Sequence, residues 1–159
     1  MDGIPNEGRS GVATGDLGDG SRGDRRTSRW GSGDVHVVWP VETTTQRFLD
    51  FQHDGLRLGD RLTGRGPLLD ETRSNQVGYA HLECVVMRRI TDVPSGLYRC
   101  SYLLHLASGD LIIEGLDPHG PGTYTFAVLG GHGTYADATG QATLTDSPDG
   151  TDMVIDLTP

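Results

Sequence analysis

Tyrosine and cysteine side chains alternate along one short stretch of the sequence and are the first candidates for chemistry. Tyr98, Cys100 and Tyr102 fall two residues apart within LYRCSYLLHLA, residues 97–107. Residues two apart on a strand point to the same face, so these three side chains share one surface. A phenol hydroxyl there can donate a hydrogen bond that polarises a substrate carbonyl. Another cysteine, Cys84, has no base close to it in the sequence, so we do not expect a nucleophilic thiolate.

The GGHG cluster at residues 130–133 has three interpretations: a phosphate cradle, a metal-binding turn or a backbone corner. A phosphate cradle needs a lysine and a following helix, and the chain has no lysine and no helical periodicity there. A metal-binding turn needs further ligands at regular spacing, and the six histidines form no such pattern. The cluster therefore predicts a corner with His132 in solvent, and we expect neither a metal nor a cofactor.

The charge and composition of the chain limit the classes of molecule that it can bind. The chain has 159 residues and a formal net charge of −9. Because a phosphate backbone is bound by clustered cations, nucleic acid is excluded as a partner. No stretch approaches the ~20 apolar residues that cross a bilayer, and the N-terminus does not have the pattern of a signal peptide. These features predict no membrane partner and a cytoplasmic location.

The composition divides the chain into two parts. Residues 1–34 are rich in glycine, serine, aspartate and arginine and have too few apolar side chains to offset the entropy of ordering. They predict a flexible tail. The alternative is a lid in which Trp30 and nearby arginines fold over a binding site. Residues 35–159 form the predicted folded domain.

Within this domain, short alternating runs separated by turn residues are typical of an all-β protein. Eight strands are predicted, at residues 35–44, 56–69, 77–90, 97–107, 111–117, 123–131, 138–145 and 152–157. Sequential hairpins favour a meander, and closure of a meander into a barrel removes its exposed edges. We therefore predict an eight-stranded, antiparallel, up-and-down β-barrel.

Several stretches between Gly59 and Leu157 resemble the allene oxide cyclase and dirigent barrel superfamily. They are GDRLTGRGPLLDETRSNQVGYAHLEC, LYRCSYLLHLASGDLIIEG and AVLGGHGTYADATGQATLT. The segment PLLDETRSNQVG is also similar to bacterial barrel cyclases that act on polyketide chains, including spirotetronate-forming [4+2] cyclases. The resemblance implies the barrel fold and an interior that is filled by side chains or holds one small ligand.

The resemblance also assigns an inward face. Cys84 corresponds to the pocket cysteine of the family, so Ala80, Leu82, Cys84 and Val86 point inward. Tyr98 corresponds to a pocket aromatic, so Tyr98, Cys100, Tyr102 and Leu104 do so as well.

Two positions depart from the plant enzymes, because Gly64 replaces a pocket aromatic and Asp117 replaces a pocket tyrosine. Gly64 then indicates either a wider cavity or a bend in the strand.

The family's catalytic glutamate on the first strand is matched by Glu42, with Thr44 as its polar neighbour, if the following loop is shortened. Without that gap the position falls on His36. His36, Val38, Pro40, Glu42 and Thr44 are expected to share one face. The implied catalytic residues are Glu42, Tyr98 and Tyr102. The implied substrate-binding residues are His36, Thr44, Gly64, Leu82, Cys84, Cys100, Leu104, Asp117 and Phe126.

The register of the hairpin after Cys84 bears on the state of the cysteines. If Thr91 pairs with Leu97, Cys84 opposes Leu104, and the two cysteines lie about 13 Å apart along the ladder at ~3.3 Å per residue. A disulfide needs Cα atoms within about 7 Å. We therefore expect two free thiols.

The resemblance implies a cofactor-independent cyclase or isomerase that folds a flexible, apolar, polyketide-like substrate inside the barrel, with a [4+2] cyclisation as one form of ring closure. One alternative is a dirigent-like or lipocalin-like binding protein without catalysis. Another is a structural barrel whose interior is filled by Leu82, Leu104, Ile113 and Phe126. Relatives that form dimers or trimers imply a homo-oligomer.

Overall fold

The structure is a computed structural model that describes residues 34–51, 57–88, 96–118 and 120–158. Nine strands and one short 3-10 turn (η1) make up these residues. They are β1 (Val35–Pro40), β2 (Thr45–Leu49), β3 (Arg61–Asp70), β4 (Gln76–Arg88), β5 (Leu97–Leu106), β6 (Gly109–Asp117), β7 (Gly122–Gly131), η1 (Gly133–Tyr135), β8 (Thr139–Ser147) and β9 (Gly150–Thr158). The predicted tail and its alternative as a lid, with Trp30, lie outside the described residues except for Asp34.

The strands form one antiparallel sheet in the order β1-β9-β8-β7-β6-β5-β4-β3-β2. β1 pairs with β9 along its whole length and also with β3, where Val37 faces Asp70 and Val38 faces Leu69. This second pairing closes eight strands into a barrel. β2 is an additional strand that pairs with the first half of β3. The predicted eight-stranded antiparallel barrel is confirmed, with one strand added.

Alternation along β4 and β5 places their side chains as predicted. Ala80, Leu82, Cys84 and Val86 of β4 are buried, and so are Tyr98, Cys100, Tyr102 and Leu104 of β5. The intervening residues Tyr79, His81 and Glu83 are exposed. Both inward-facing sets are therefore confirmed. They belong to one continuous core with side chains from the other strands of the barrel.

The first strand has the opposite orientation to the one predicted. Val37 and Trp39 are 3% and 4% exposed and belong to the interior core, so their neighbour His36 faces outward. The strand also ends at Pro40, earlier than predicted. Beyond it the backbone N–H of Thr44 donates to the Val41 carbonyl at 3.2 Å, and this turn redirects the chain into β2. The predicted common face from His36 to Thr44 is therefore wrong.

The GGHG cluster forms a corner at one end of the barrel, as predicted. Gly133 begins the 3-10 turn with φ +64°, in the left-handed region that favours glycine. Tyr135 at the end of this turn is buried, and its hydroxyl lies 2.9 Å from Ser108 Oγ. The corner thus covers this end of the interior. His132 is exposed. We call this end the base and the opposite end the mouth.

No helix in the described parts of the chain is long and apolar enough to span a membrane.

Candidate functional site

A cavity of about 320 Å³ opens at the mouth, where β4, β6 and β8 end and β5, β7 and β9 begin. We call it the mouth cavity. Its lining combines apolar and aromatic side chains, backbone of the mouth turns and a few polar groups. The lining residues are Trp39, Val41, Thr44, Gln46, Leu62, Leu82, Cys84, Tyr102, Asp117, Gly120, Pro121, Asp146, Ser147, Pro148, Gly150 and Thr151.

Three aromatic rings in contact with one another extend from the cavity to the core. The rings of Trp39 and Tyr102 meet edge to face, with centroids 5.5 Å apart and planes at 84°. Tyr102 in turn contacts Phe126, with centroids 5.8 Å apart. Below Phe126 the interior is filled by fully buried aliphatic side chains such as Leu104 and Ile113. Among the described residues the barrel is packed towards the base and has a cavity at the mouth, so for this part of the chain the structural alternative of a wholly filled barrel does not hold.

Gly64 provides space for Trp39. A Cβ atom on Gly64 would lie 2.8 Å from Trp39 Cη2, and a Cβ atom on Gly66 would lie 2.8 Å from Trp39 Nε1. The indole edge thus rests against the glycine backbone of β3. The wider cavity predicted at Gly64 is not found there, because Trp39 occupies the space. The alternative, a bend of the strand at Gly64, stays a prediction.

Tyr102 carries the best-placed hydroxyl group of the site. Its side chain lines the cavity and is 4% exposed. Burial raises the pKa of the Tyr102 phenol, and the negative charges of Asp146 and Asp117 raise this pKa further. The group therefore stays neutral at physiological pH and retains its proton as a hydrogen-bond donor.

Two further tyrosines, Tyr98 and Tyr124, lie close to the carboxylates at the mouth. Burial, followed by the charge of Asp117, raises the pKa of Tyr98, which faces Asp117 across the β5–β6 ladder. Burial also raises the pKa of Tyr124, with smaller effects from Asp117 and Asp146. The Tyr124 hydroxyl donates to the Gly120 carbonyl and so holds the turn before β7.

The polar part of the mouth is acidic. Asp117 is the last residue of β6, and Asp146 lies near the end of β8. Asp146 Oδ1 accepts a hydrogen bond of 2.6 Å from Thr151 Oγ1. The cavity thus combines aromatic walls with negative charge, an arrangement that stabilises positive charge on a ligand.

Cys84 and Cys100 form a disulfide, which corrects the prediction of free thiols. They face each other directly on β4 and β5, with Cα atoms 4.0 Å apart. The register differs from the predicted one because β4 ends at Arg88, so a longer connection precedes β5 and Leu97 pairs with Arg88 rather than with Thr91. Cys84 lines the mouth cavity, and Cys100 Sγ lies 3.9 Å from Asp117 Oδ2. The disulfide weighs against the predicted cytoplasmic location, where such bonds are rare.

Two residues from the predicted site lie neither in the cavity nor in the core. His36 lies on the outer face, where its Nδ1 is 3.3 Å from Glu71 Oε2 and its Nε2 is 3.8 Å from Asp152 Oδ1. Glu42 is exposed in the turn between β1 and β2. Its neighbour Thr44 does line the cavity and donates a hydrogen bond of 2.5 Å to the Pro40 carbonyl.

The remaining predicted site residues fall at different depths. Leu82, Cys84, Tyr102 and Asp117 line the cavity. Tyr98 is buried beside Asp117, whereas Leu104 and Phe126 belong to the packed core below.

Sequence reasoning missed Trp39, Tyr124 and Asp146. The signal for Trp39 was ambiguous, since Val35, Val37 and Trp39 alternate with His36 and Pro40 but the apolar Val38 interrupts the pattern. The position of Asp146 at the mouth depends on the pairing of β8 with β7 and β9, which no local pattern reveals. Across the described residues, no group of three or more histidine, cysteine, aspartate or glutamate side chains is placed to hold a metal ion.

Comparison with known proteins supports the fold. No protein-family model and no curated protein matches the sequence. Pyocyanin demethylase matches with a TM-score of 0.65 and 24% identity over 79% of this chain and 100% of its own. The Diels-Alderase AbmU from Streptomyces koyangensis matches with a TM-score of 0.60 and 14% identity, over 79% of this chain and 65% of its own. The pterocarpan synthase dirigent protein GePTS1 matches with a TM-score of 0.54 and 16% identity, over 79% of this chain and 90% of its own. The chain therefore has the barrel fold of bacterial Diels-Alderases and dirigent proteins, as the resemblance predicted.

Proposed function

We propose that this protein is a cyclase that binds one small, largely apolar, unsaturated molecule in the mouth cavity and closes a ring in it. The observation that carries the proposal is the position of a buried, neutral Tyr102 hydroxyl in the wall of an aromatic cavity of about 320 Å³. That volume lies at the small end of the range for ligand pockets, about 300–1,000 Å³. A compact, folded conformer fits such a space better than an extended chain does.

The proposed reaction is an intramolecular cycloaddition of the [4+2] type. A conjugated diene and an alkene of the same molecule form two new carbon–carbon bonds, and no atom, proton or electron is gained or lost. The barrel contributes by holding the two reacting ends together, which lowers the entropic part of the barrier. The Tyr102 hydroxyl donates to a carbonyl attached to the alkene and withdraws electron density from it.

The acidic rim has a separate role in this proposal. Asp117 and Asp146 stabilise positive charge that develops on the diene as electrons move towards the carbonyl. Because the cavity is partly closed to water, their field acts over a short distance with little screening. The polyketide-like nature of the substrate is part of the proposal and is supported by the likeness to a Diels-Alderase barrel.

The test uses a linear trienone in which an enone and a conjugated diene are joined by a short saturated chain. Wild-type protein should accelerate conversion of the probe into an isomer of identical mass. Chromatography with mass spectrometry monitors this conversion. Tyr102→Phe should lower kcat by about tenfold or more through loss of one donor. Tyr79→Phe, an exposed tyrosine on the outer face of β4, is the matched control and should leave the rate unchanged. Equal rates for wild type and Tyr102→Phe would remove Tyr102 from the mechanism.

The other two predicted catalytic residues have weaker geometric support. Tyr98 is buried beside Asp117 and can act by orienting that carboxylate. Glu42 is exposed in its turn, so we expect Glu42→Gln to change the rate less than Tyr102→Phe does. Measuring both variants with the same probe ranks the three residues.

A binding protein without catalysis is the alternative, supported by the likeness to a dirigent protein. Such a protein would bind the trienone without accelerating its reaction. Equilibrium binding with an unchanged rate of ring closure would favour this alternative over the cyclase. Self-association into a dimer or trimer stays a prediction, which light scattering at several protein concentrations checks.

A second candidate ligand is a positively charged aromatic molecule. It is supported by the aromatic rings at the mouth and by the negative charges of Asp117 and Asp146 beside them. Pyocyanin is the first probe to use, because pyocyanin demethylase matches this chain over its own full length. Appearance of the demethylated product would assign that activity instead of ring closure. A saturable absorbance change without product would indicate binding alone.

A further inference from the structure

The outer face of the barrel carries a second concave surface, larger than the mouth cavity. It has a volume of about 590 Å³ and lies across β2, β3, β4 and β5. We call it the outer groove. Its lining consists of Thr45, Arg47, Thr63, Gly64, Arg65, His81, Leu82, Glu83, Ser101 and Leu103. The exposed lining residues Arg65, His81 and Glu83 alternate along their strands with buried residues, so the groove lies on the opposite side of the sheet from the mouth cavity.

The strand register brings two arginines together in this groove. Arg65 of β3 lies between Thr45 of β2 and His81 of β4 on the outer face. Arg47 faces Thr63, the residue two before Arg65. Diagonal neighbours of this kind are separated by about 7–8 Å, which long side chains readily span. The two guanidinium groups can therefore reach one bound group between them.

The positive charges of Arg47 and Arg65 are not neutralised by a carboxylate of the groove. Its carboxylate, Glu83, is held by Arg61, with Nη1 and Oε1 2.5 Å apart. Across the described residues, neither Arg47 nor Arg65 forms an ion pair. His81 and the hydroxyls of Thr63 and Ser101 add hydrogen-bond donors. A chain with a net charge of −9 thus collects cationic donors on one concave surface.

We propose that the outer groove is a binding site for an oxyanion, carried by a small molecule as a phosphate or carboxylate group. Guanidinium groups bind such anions through paired, charge-assisted hydrogen bonds. The site is separate from the mouth cavity and does not depend on ring closure there. A bound anion would also stabilise the pairing of β2 with β3, because its two main cationic ligands come from these two strands.

The experiment measures binding of sodium pyrophosphate and of citrate to the full chain by titration calorimetry, at an ionic strength held constant with sodium chloride. Wild-type protein should bind at least one of the two at a single site. Stronger binding of pyrophosphate would identify a phosphate site, and stronger binding of citrate a carboxylate site. Arg47→Gln/Arg65→Gln should weaken binding by about tenfold or more. Arg99→Gln is the matched control, because Arg99 is exposed, pairs with Glu114 at 3.7 Å and lies outside the groove.

A second readout does not depend on a variant. The ring signals of His81 should shift on addition of the preferred anion in an NMR titration, whereas those of His36, outside the groove, should not. Absence of binding by both anions would overturn the proposal, and so would equal affinities of wild type and the double variant. An unshifted His81 would place any bound anion elsewhere and would also overturn it.

Discussion

A Cβ atom on Gly64 would lie 2.8 Å from Cη2 of Trp39, so the indole ring occupies the space that a side chain on β3 would take. The same relationship recurs on β6, where a Cβ atom on Gly115 would lie 2.5 Å from Phe126 Cδ1. Two inward-facing glycines thus provide space for two large rings. The position of Trp39 in the wall of the mouth cavity depends on the absence of a side chain at Gly64.

Gly64→Ala should destabilise the protein by about 1–3 kcal/mol, because the rigid indole must shift to admit the methyl group. Urea unfolding followed by circular dichroism measures the change in the free energy of unfolding. Gly120→Ala is the control, since a Cβ atom there meets nothing within 4 Å. Equal stability of Gly64→Ala and wild type would show that Trp39 does not rest against β3.

The disulfide between Cys84 and Cys100 should contribute to stability. It closes a loop with a sequence separation of 16, for which the chain-entropy model gives about 3 kcal/mol. Reduction with dithiothreitol should lower the melting temperature of wild type but not of Cys84→Ala/Cys100→Ala. Titration of two free thiols per unfolded, unreduced chain would show that the bond is absent.

Alkaline pH should destabilise the fold through Tyr102. Its pKa is raised above the ordinary value of 10.0, so the stability that it contributes is full below pH 10 and is lost as pH rises towards the folded-state pKa. Tyr102→Phe should therefore lose less stability than wild type between pH 9 and about pH 11. Parallel loss in the two proteins, measured by urea unfolding at each pH, would contradict a buried Tyr102.

Asp70 should make the fold sensitive to acid. Its carboxylate accepts hydrogen bonds from Thr72 Oγ1 at 2.7 Å, from the Ser74 N–H at 3.0 Å and from Asn75 Nδ2 at 2.7 Å, and these hold the β3–β4 turn. The Asn75 bond, followed by the others, lowers the Asp70 pKa below 3.8. The stability from Asp70 is present above pH 3.8 and is lost as pH falls. Asp70→Ala should therefore be less stable than wild type at pH 7, with a smaller difference at pH 2.

The sequence predicted the barrel because short alternating runs follow one another in sequential hairpins, and the resemblance assigned the inward faces of β4 and β5. It failed on β1 because Val38, on the outer side, is as apolar as Val37 and Trp39, so alternation did not distinguish the two faces. It missed β2 because every residue of that strand is exposed, which leaves no apolar alternation to detect. The disulfide was missed because a register four residues away satisfies the same inward pattern, and only the position of the turn separates the two.

The most direct test of the central claim is the fluorescence of Trp39, measured in a Trp30→Phe chain so that it is the one tryptophan present. Titration with the linear trienone should give a saturable change at one site, because the ligand contacts the indole in the mouth cavity. The change should persist in Tyr102→Phe, with a larger dissociation constant. A linear, non-saturating response in both proteins would contradict a ligand site at the mouth and the proposed cyclase with it.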